Sequence, residues 1–243
     1  MTSDEPKQDW PGVPMQESRH FGLIGGLGVG ATVIYYQAIA AACAKREIVP
    51  RLSMAHAQAP TALALVQAGR IADLATYLGG FAGELAAAGA SFFAIPAITP
   101  HICREELQRQ VAIPMVDILA TTARRLAERQ LSRVALFGTR FTIDSRLFGA
   151  LEAFDVVRPR DEEVDTIHRI YLELATEGRT STDNKDKLRD LARGLERREG
   201  IEAIVLAGTD LNLVFNEGNA GFPAIDCAAA HIEAIVALMA SQQ

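Results

Sequence analysis

Short unbroken apolar runs alternate along the chain with longer amphipathic stretches, which predicts β-strands alternating with α-helices. The first run, Phe21-Gly22-Leu23-Ile24-Gly25-Gly26, is strand-like and ends in glycines. Over residues 31–44 apolar side chains (Val33, Ile34, Tyr36, Ile39, Ala40) return at helical spacing. Residues 51–57 read as a second strand, 71–88 as an Ala-rich helix closed by Gly89, and 91–95 as a third strand, apolar enough for a sheet covered on both faces. That strand empties into Pro96-Ala97-Ile98-Thr99-Pro100-His101, and a helix comes next with Arg104, Glu105, Glu106 and Arg109 on its wet face.

The second half repeats the alternation. The pattern predicts a helix over 116–130, a strand over 133–137 ending at Gly138-Thr139, a helix over 145–154 and a short strand at 155–158. A strongly amphipathic helix occupies 161–177, then a polar turn 178–186 and a charged helix to Arg198. Residues 203–206 form the last long apolar strand, ending at Ala207-Gly208-Thr209-Asp210; 223–226 is an edge-like strand and 228–240 the closing helix. About seventy residues separate the loop at Gly25 from that at Ala97, and Gly138 from Gly208, which is a sign of internal duplication. Ligands of open parallel sheets sit outside the carboxyl ends of the strands. Two such lobes face to face would surround one cleft with four small, hydroxyl-rich loops.

The 243 residues carry 24 Lys+Arg against 30 Asp+Glu, a net charge of −6. A mildly acidic chain offers no cationic footprint for phosphate, so nucleic acid is not expected as a partner. Runs such as 81–100, interrupted by Glu84, Gly89 and Pro96, are too mixed to span a bilayer, so no membrane partner is expected. Residues 1–19 lack a signal-peptide pattern and read as a disordered arm, and the three widely spaced cysteines (Cys43, Cys103, Cys227) as reduced thiols of a cytoplasmic protein. The expected organisation is lobe 1 over 20–115 with a returning segment at 216–243, and lobe 2 over 116–215.

Gly26-Leu27-Gly28 through Ala31 fits G-x-G-x-x-A, yet the second strand ends at Ala55-His56-Ala57 without the acid that holds a ribose. The same glycines let backbone N–H groups approach a small anion at a helix N-terminus, or merely make a tight turn. Thr99 can cap a helix or offer its hydroxyl to a ligand; His101 can titrate near neutrality or be a hydrogen-bonded structural histidine. Thr209 and Asp210 stand at the equivalent place in the second half, under the same two readings. Thr139, Arg140 and Thr142 add two hydroxyls and a cation. No metal site is expected, because His101 with Cys103, and Asp226 with Cys227 and His231, lack zinc spacing.

Together these segments resemble the aspartate/glutamate racemase family. Gly22-Leu23-Ile24-Gly25-Gly26-Leu27-Gly28 with Tyr35-Tyr36 is similar to its opening strand and loop, and 95–101 to its first motif, Cys-Asn-Thr-x-His. Phe137-Gly138-Thr139 with Thr142 resembles its Gly-Thr-x-x-Thr loop, 206–211 sits at its Gly-Cys-Thr-Glu motif, and 222–226 with His231 resembles its closing segment. The resemblance implies α/β architecture: two pseudo-symmetric doubly wound lobes with parallel sheets and an interlobe active-site cleft. It also implies a homodimer and catalysis without a cofactor, on a small amino-acid or carboxylate ligand. The expected substrate-binding residues are Gly26, Leu27, Ile98, Thr99, Thr139, Thr142 and Thr209.

Family members pass a proton through two cysteines flanking the substrate. Here Ala97 and Gly208 occupy those positions, and Ile98 replaces the usual Asn. Neither residue carries a proton, and Cys103 and Cys227 are too displaced along the chain to substitute. His101 and Asp210, with Thr99 and Thr209 beside them, are the candidate catalytic set. The expectation is a racemase-like isomerase or related one-base enzyme acting on a small amino acid or dicarboxylic acid. The alternative is a non-catalytic carboxylate binder on the same fold.

Overall fold

In the computed structural model residues 16–241 are described; residues 1–15, most of the expected arm, lie outside them. The arm is already tied down from Gln16 on: β1 (Gln16–Glu17) pairs in parallel with β3 (Ile48–Val49), and the Ser18 hydroxyl accepts the Arg51 N–H at 2.8 Å.

The apolar runs build two four-stranded, wholly parallel sheets. The first takes the order β4-β2-β5-β6 from β2 (Phe21–Gly25), β4 (Leu52–His56), β5 (Phe92–Ala94) and β6 (Met115–Val116). The second takes β10-β9-β7-β8 from β7 (Arg133–Gly138), β8 (Asp155–Val157), β9 (Ala203–Ala207) and β10 (Ala224–Asp226). Within each sheet the strands run second-first-third-fourth in chain order, so the seventy-residue echo corresponds to one topology used twice.

The first sheet shows why its strands are continuously apolar. Successive side chains point to opposite faces: Leu23, Phe92 and Ala94 join Tyr35 and Ile39 of α1 (Val29–Lys45), whereas Ile24, Phe93 and Ile95 join Leu74, Leu78 and Leu85 of α3 (Ile71–Ala87). Both faces are therefore helix-covered, and alternation with polar residues is absent. Between β4 and α3 lies α2 (Ala59–Gln67), which the pattern did not predict and whose start is marked by Pro60 in its first turn. A 3₁₀ turn (Thr99–Cys103) and α4 (Arg104–Gln110) come after β5.

Each lobe lends its last helix to the other. α5 (Ile118–Glu128) succeeds a first-sheet strand, but Ile118, Leu119 and Leu126 pack into the second lobe's core. α9 (Cys227–Ala240) succeeds a second-sheet strand and sends Ile232, Ile235 and Met239 in with Phe21 and Tyr35. Both start on an aspartate cap: Asp117 accepts the Leu119 N–H, and Asp226 those of Ala228 and Ala229.

Three sequence expectations change. The helix expected over 116–130 begins later, because Met115–Val116 pairs with Phe93 and Ala94 as β6 and Asp117 caps α5 only after that strand. The helix expected over 145–154 is instead the short α6 (Arg140–Asp144) and a series of turns. Arg146, Leu147 and Phe148 have φ of 49°, 58° and 55°, left-handed values that a right-handed helix cannot include. After α7 (Asp161–Glu177), α8 (Thr182–Glu199) begins inside the expected polar turn, with the Ser181 hydroxyl capping the Asn184 N–H. A second 3₁₀ turn (Thr209–Leu213) comes after β9, mirroring Thr99–Cys103. No helix among the described residues is long and apolar enough to cross a membrane.

Candidate active site

Loops at the carboxyl ends of the central strands of both sheets meet at one cleft of about 780 Å³. The β2 loop contributes Gly26, Leu27 and Gly28, the β5 loop Ala97, Ile98 and Thr99, β7 Thr139, and β9 Thr209 and Asp210. Gly26 makes the sharp turn possible. Its φ of +87° lies in the region that favours glycine, and a Cβ there would overlap the Ala57 carbonyl. The Thr32 hydroxyl braces this loop, accepting the Gly26 N–H and donating to the Gly28 carbonyl. β4 ends at His56, so the position a ribose-binding acid would hold carries none.

Thr142 does not line the cleft. It is 1% exposed, and its hydroxyl lies 2.8 Å from that of Thr139, which caps α6 by accepting the Thr142 N–H. Its place is behind Thr139, as a support. Arg140, the cation expected beside the cleft, is turned away onto Asp165.

His101 is also displaced from the expected set. Its ring is fully buried and absent from the cleft wall; Nδ1 donates to the Ala97 carbonyl at 2.8 Å, and Nε2 has no protein partner. The neighbouring ring is His231, 6.2 Å away edge-on, which donates from Nε2 to the Val116 carbonyl and accepts at Nδ1 from the Tyr35 hydroxyl. Burial lowers the His101 pKa, holding the ring neutral. It shapes the Ala97 loop from behind. The thiols stay outside the cleft as well: Cys103 donates to the Pro100 carbonyl and Cys227 to that of Leu206. Burial pushes Cys103 up to about 12 and Cys227 well above the thiol range, so neither forms a thiolate near neutrality.

The space beside Gly208 is filled by another residue's side chain. A Cβ on Gly208 would land 2.9 Å from Cδ2 of Tyr171 and nearer still to Cε2. The phenol of Tyr171, on α7, thus lies where a side chain at 208 would project. Its hydroxyl donates to Asp210 Oδ2 at 3.1 Å, and the Ala31 N–H, in the first turn of α1, donates to the same carboxylate. Asp210 sits in the second lobe's turn and reaches the N-terminus of a first-lobe helix, where the backbone dipole favours negative charge. It is 5% exposed yet lines the cleft. Burial raises its pKa and outweighs the donors that lower it, which brings the carboxyl toward the range of a working acid/base group. Tyr171 was not legible as a site residue, because it lies 39 positions from Asp210 on a helix whose pattern signals only amphipathicity. Among the described residues no group of three or more His, Cys, Asp or Glu is arranged to hold a metal ion.

Residues 24–235 match the family model described as Asp/Glu/Hydantoin racemase. A broad specificity amino-acid racemase of Bacillus subtilis (strain 168) is 26% identical over 152 residues, 60% of this chain and 63% of that relative, so the match spans under two thirds of the relative's length. Among solved structures, an aspartate racemase homologue from Pyrococcus horikoshii OT3 is 27% identical with a TM-score of 0.77, covering 92% of this chain and all (100%) of that one. A Yersinia pestis protein assigned as an Asp/Glu racemase shares the fold at TM-score 0.80 and 23% identity, over 92% of this chain and 100% of that one. Two parallel sheets of one topology, with glycine and threonine loops around a shared cleft, and a family match across most of the chain show that this protein belongs to the Asp/Glu/hydantoin racemase family.

Proposed function

We propose that this protein is a cofactor-independent, racemase-like isomerase that moves a proton at the α-carbon of a small amino acid or related carboxylic acid, with Asp210 as its acid/base group. The observation that carries this reading is the Asp210 carboxyl itself: on the cleft wall, nearly buried, raised in pKa and held by the Tyr171 hydroxyl. In the proton-abstraction step the α-C–H bond breaks and its proton passes to the Asp210 carboxylate. The electron pair delocalises into the substrate carboxylate, which the Leu27 and Gly28 N–H groups and the Thr99 and Thr209 hydroxyls would hold. Tyr171 is a positioning residue, keeping the carboxyl aimed without supplying a proton of its own near neutrality, since burial raises its phenol well above the usual range. A single base returns solvent-derived protons, so exchange precedes or accompanies any inversion.

The test is deuterium incorporation from D₂O into a panel of L- and D-amino acids, monitored by NMR. Asp210→Asn is expected to lower exchange by about a hundredfold or more, and Tyr171→Phe by about tenfold with a displaced pH profile. Exchange that survives Asp210→Asn overturns the assignment. The second reading, a non-catalytic carboxylate binder, is favoured by Ala97 and by the Tyr171 ring filling the second thiol's place. Thermal stabilisation by an amino acid with no exchange selects it.

A further inference from the structure

We infer that the cleft selects carboxylates with an apolar side chain over those bearing a second carboxylate, an assignment that rests on the site proposed above. Pairing a second carboxylate in a partly desolvated pocket calls for a cation or spare donors. No Lys, Arg or His is found among the described residues lining the cleft, and its two charged residues, Asp210 and Glu177, are both acids that repel an anion. The cation adjacent in sequence to the lining residue Thr139, Arg140, is paired with Asp165.

The donors are already in use as well. Asp210 takes up the Ala31 N–H in the first turn of α1, and the Thr139 hydroxyl accepts the Thr142 N–H and lies 2.8 Å from the Thr142 hydroxyl. With the Gly26 N–H held by Thr32, the donors left over, the Leu27 and Gly28 N–H groups with the Thr99 and Thr209 hydroxyls, suit one carboxylate. The rest of the wall is aliphatic and comes from both lobes. Pro60, Leu63 and Val66 on α2 face Leu172 and Ala175 near the end of α7, with Leu27 between the loops. Leu63 and Leu172 are 52% and 47% exposed, an uncovered apolar lip on each side. A branched aliphatic or aromatic side chain would cover those lips and release their water.

Leucine and aspartate are near-isosteres that differ in this one property, so calorimetric titration of the full chain with each enantiomer of both, and with lysine, reads the selection without requiring turnover. Leucine is expected to bind about tenfold or more tightly than aspartate. Leu63→Arg places a cation on an exposed lip position where folding is not at stake, and is expected to reverse the order. Aspartate binding as tightly as leucine, lysine binding tightest, or no amino acid binding at all overturns the inference. Leucine binding without deuterium exchange upholds it while removing the enzyme reading, so the two fail separately.

Discussion

Gly208 shows how one residue's identity can be imposed by another far away in sequence. The Tyr171 ring leaves no room for a Cβ at 208, so placing a cysteine there means overpacking. Gly208→Cys is expected to cost about 1–3 kcal/mol in urea unfolding and to yield no thiol-dependent racemisation. Gly208→Cys with Tyr171→Ala should recover part of that loss, because the new side chain then has space. A full cost unchanged in the double variant would show that the clash is not its origin. Asp210 invites a second residue-scale test. Its folded-state pKa is raised, so the ionised carboxyl works against folding at neutral pH, and that penalty vanishes as pH falls below the carboxylate range. Asp210→Asn keeps one acceptor oxygen for the Ala31 N–H and can donate its amide N–H to the Tyr171 hydroxyl, and should raise stability by about 1 kcal/mol near neutral pH while removing exchange. A variant less stable than the parent would mean the charge at the α1 N-terminus contributes more than its burial costs.

At the scale of elements, capping and turn chemistry decided the boundaries that apolar periodicity missed. Val116 looks like the first apolar residue of a helix, yet its backbone pairs with β5, and the aspartate after it supplies the cap. The turn after α6 was hidden for a different reason: Leu147 and Leu151 are spaced as on a helix and both are buried, but the backbone between them passes through left-handed φ values that composition does not announce. Asp226 carries the most capping of any junction near the site, accepting the Ala228 and Ala229 N–H groups and an Asn212 side-chain N–H. Asp226→Ala is expected to destabilise by about 1–2 kcal/mol, read from urea midpoints, and to loosen α9 where it enters the first lobe. Hydrogen exchange of the first turn of α9 that stays unchanged in the variant would contradict this role.

Over the whole molecule, the two lobes are joined by exchanged helices and by a buried histidine pair at the junction. His231 on α9 reaches the Val116 carbonyl at the end of β6, and His101 supports the Ala97 loop. Burial lowers both pKa values, His231 to about 3, with the positive field of a protonated His101 adding to its lowering. The unfolded chain therefore binds more protons than the folded one below the ordinary histidine pKa of 6.5. The stability these neutral rings allow is complete above that value and is lost as pH falls from about 6.5 toward about 3. Asp210 and Asp226, raised by burial, act oppositely and regain stability as they protonate. His231→Gln should be less stable at neutral pH by about 1–3 kcal/mol through its lost hydrogen bonds, with a shallower decline on acidification. A decline as steep as the parent's would assign the acid sensitivity elsewhere.

The strand-helix alternation, the parallel sheets, the repeated loops and the family were all written in local pattern, because strand and helix periods and glycine turns are short-range properties of consecutive residues. So was the identity of Ala97 and Gly208 at the two motif positions where the resemblance implies cysteines. Which side chains meet was decided only in three dimensions. Tyr171 against Gly208, Asp210 on the opposite lobe's helix, Arg140 drawn to Asp165 and His101 turned into the core all depend on packing between elements remote in sequence. Close packing admits one occupant for each space, and nothing in a residue's own neighbourhood along the chain names that occupant.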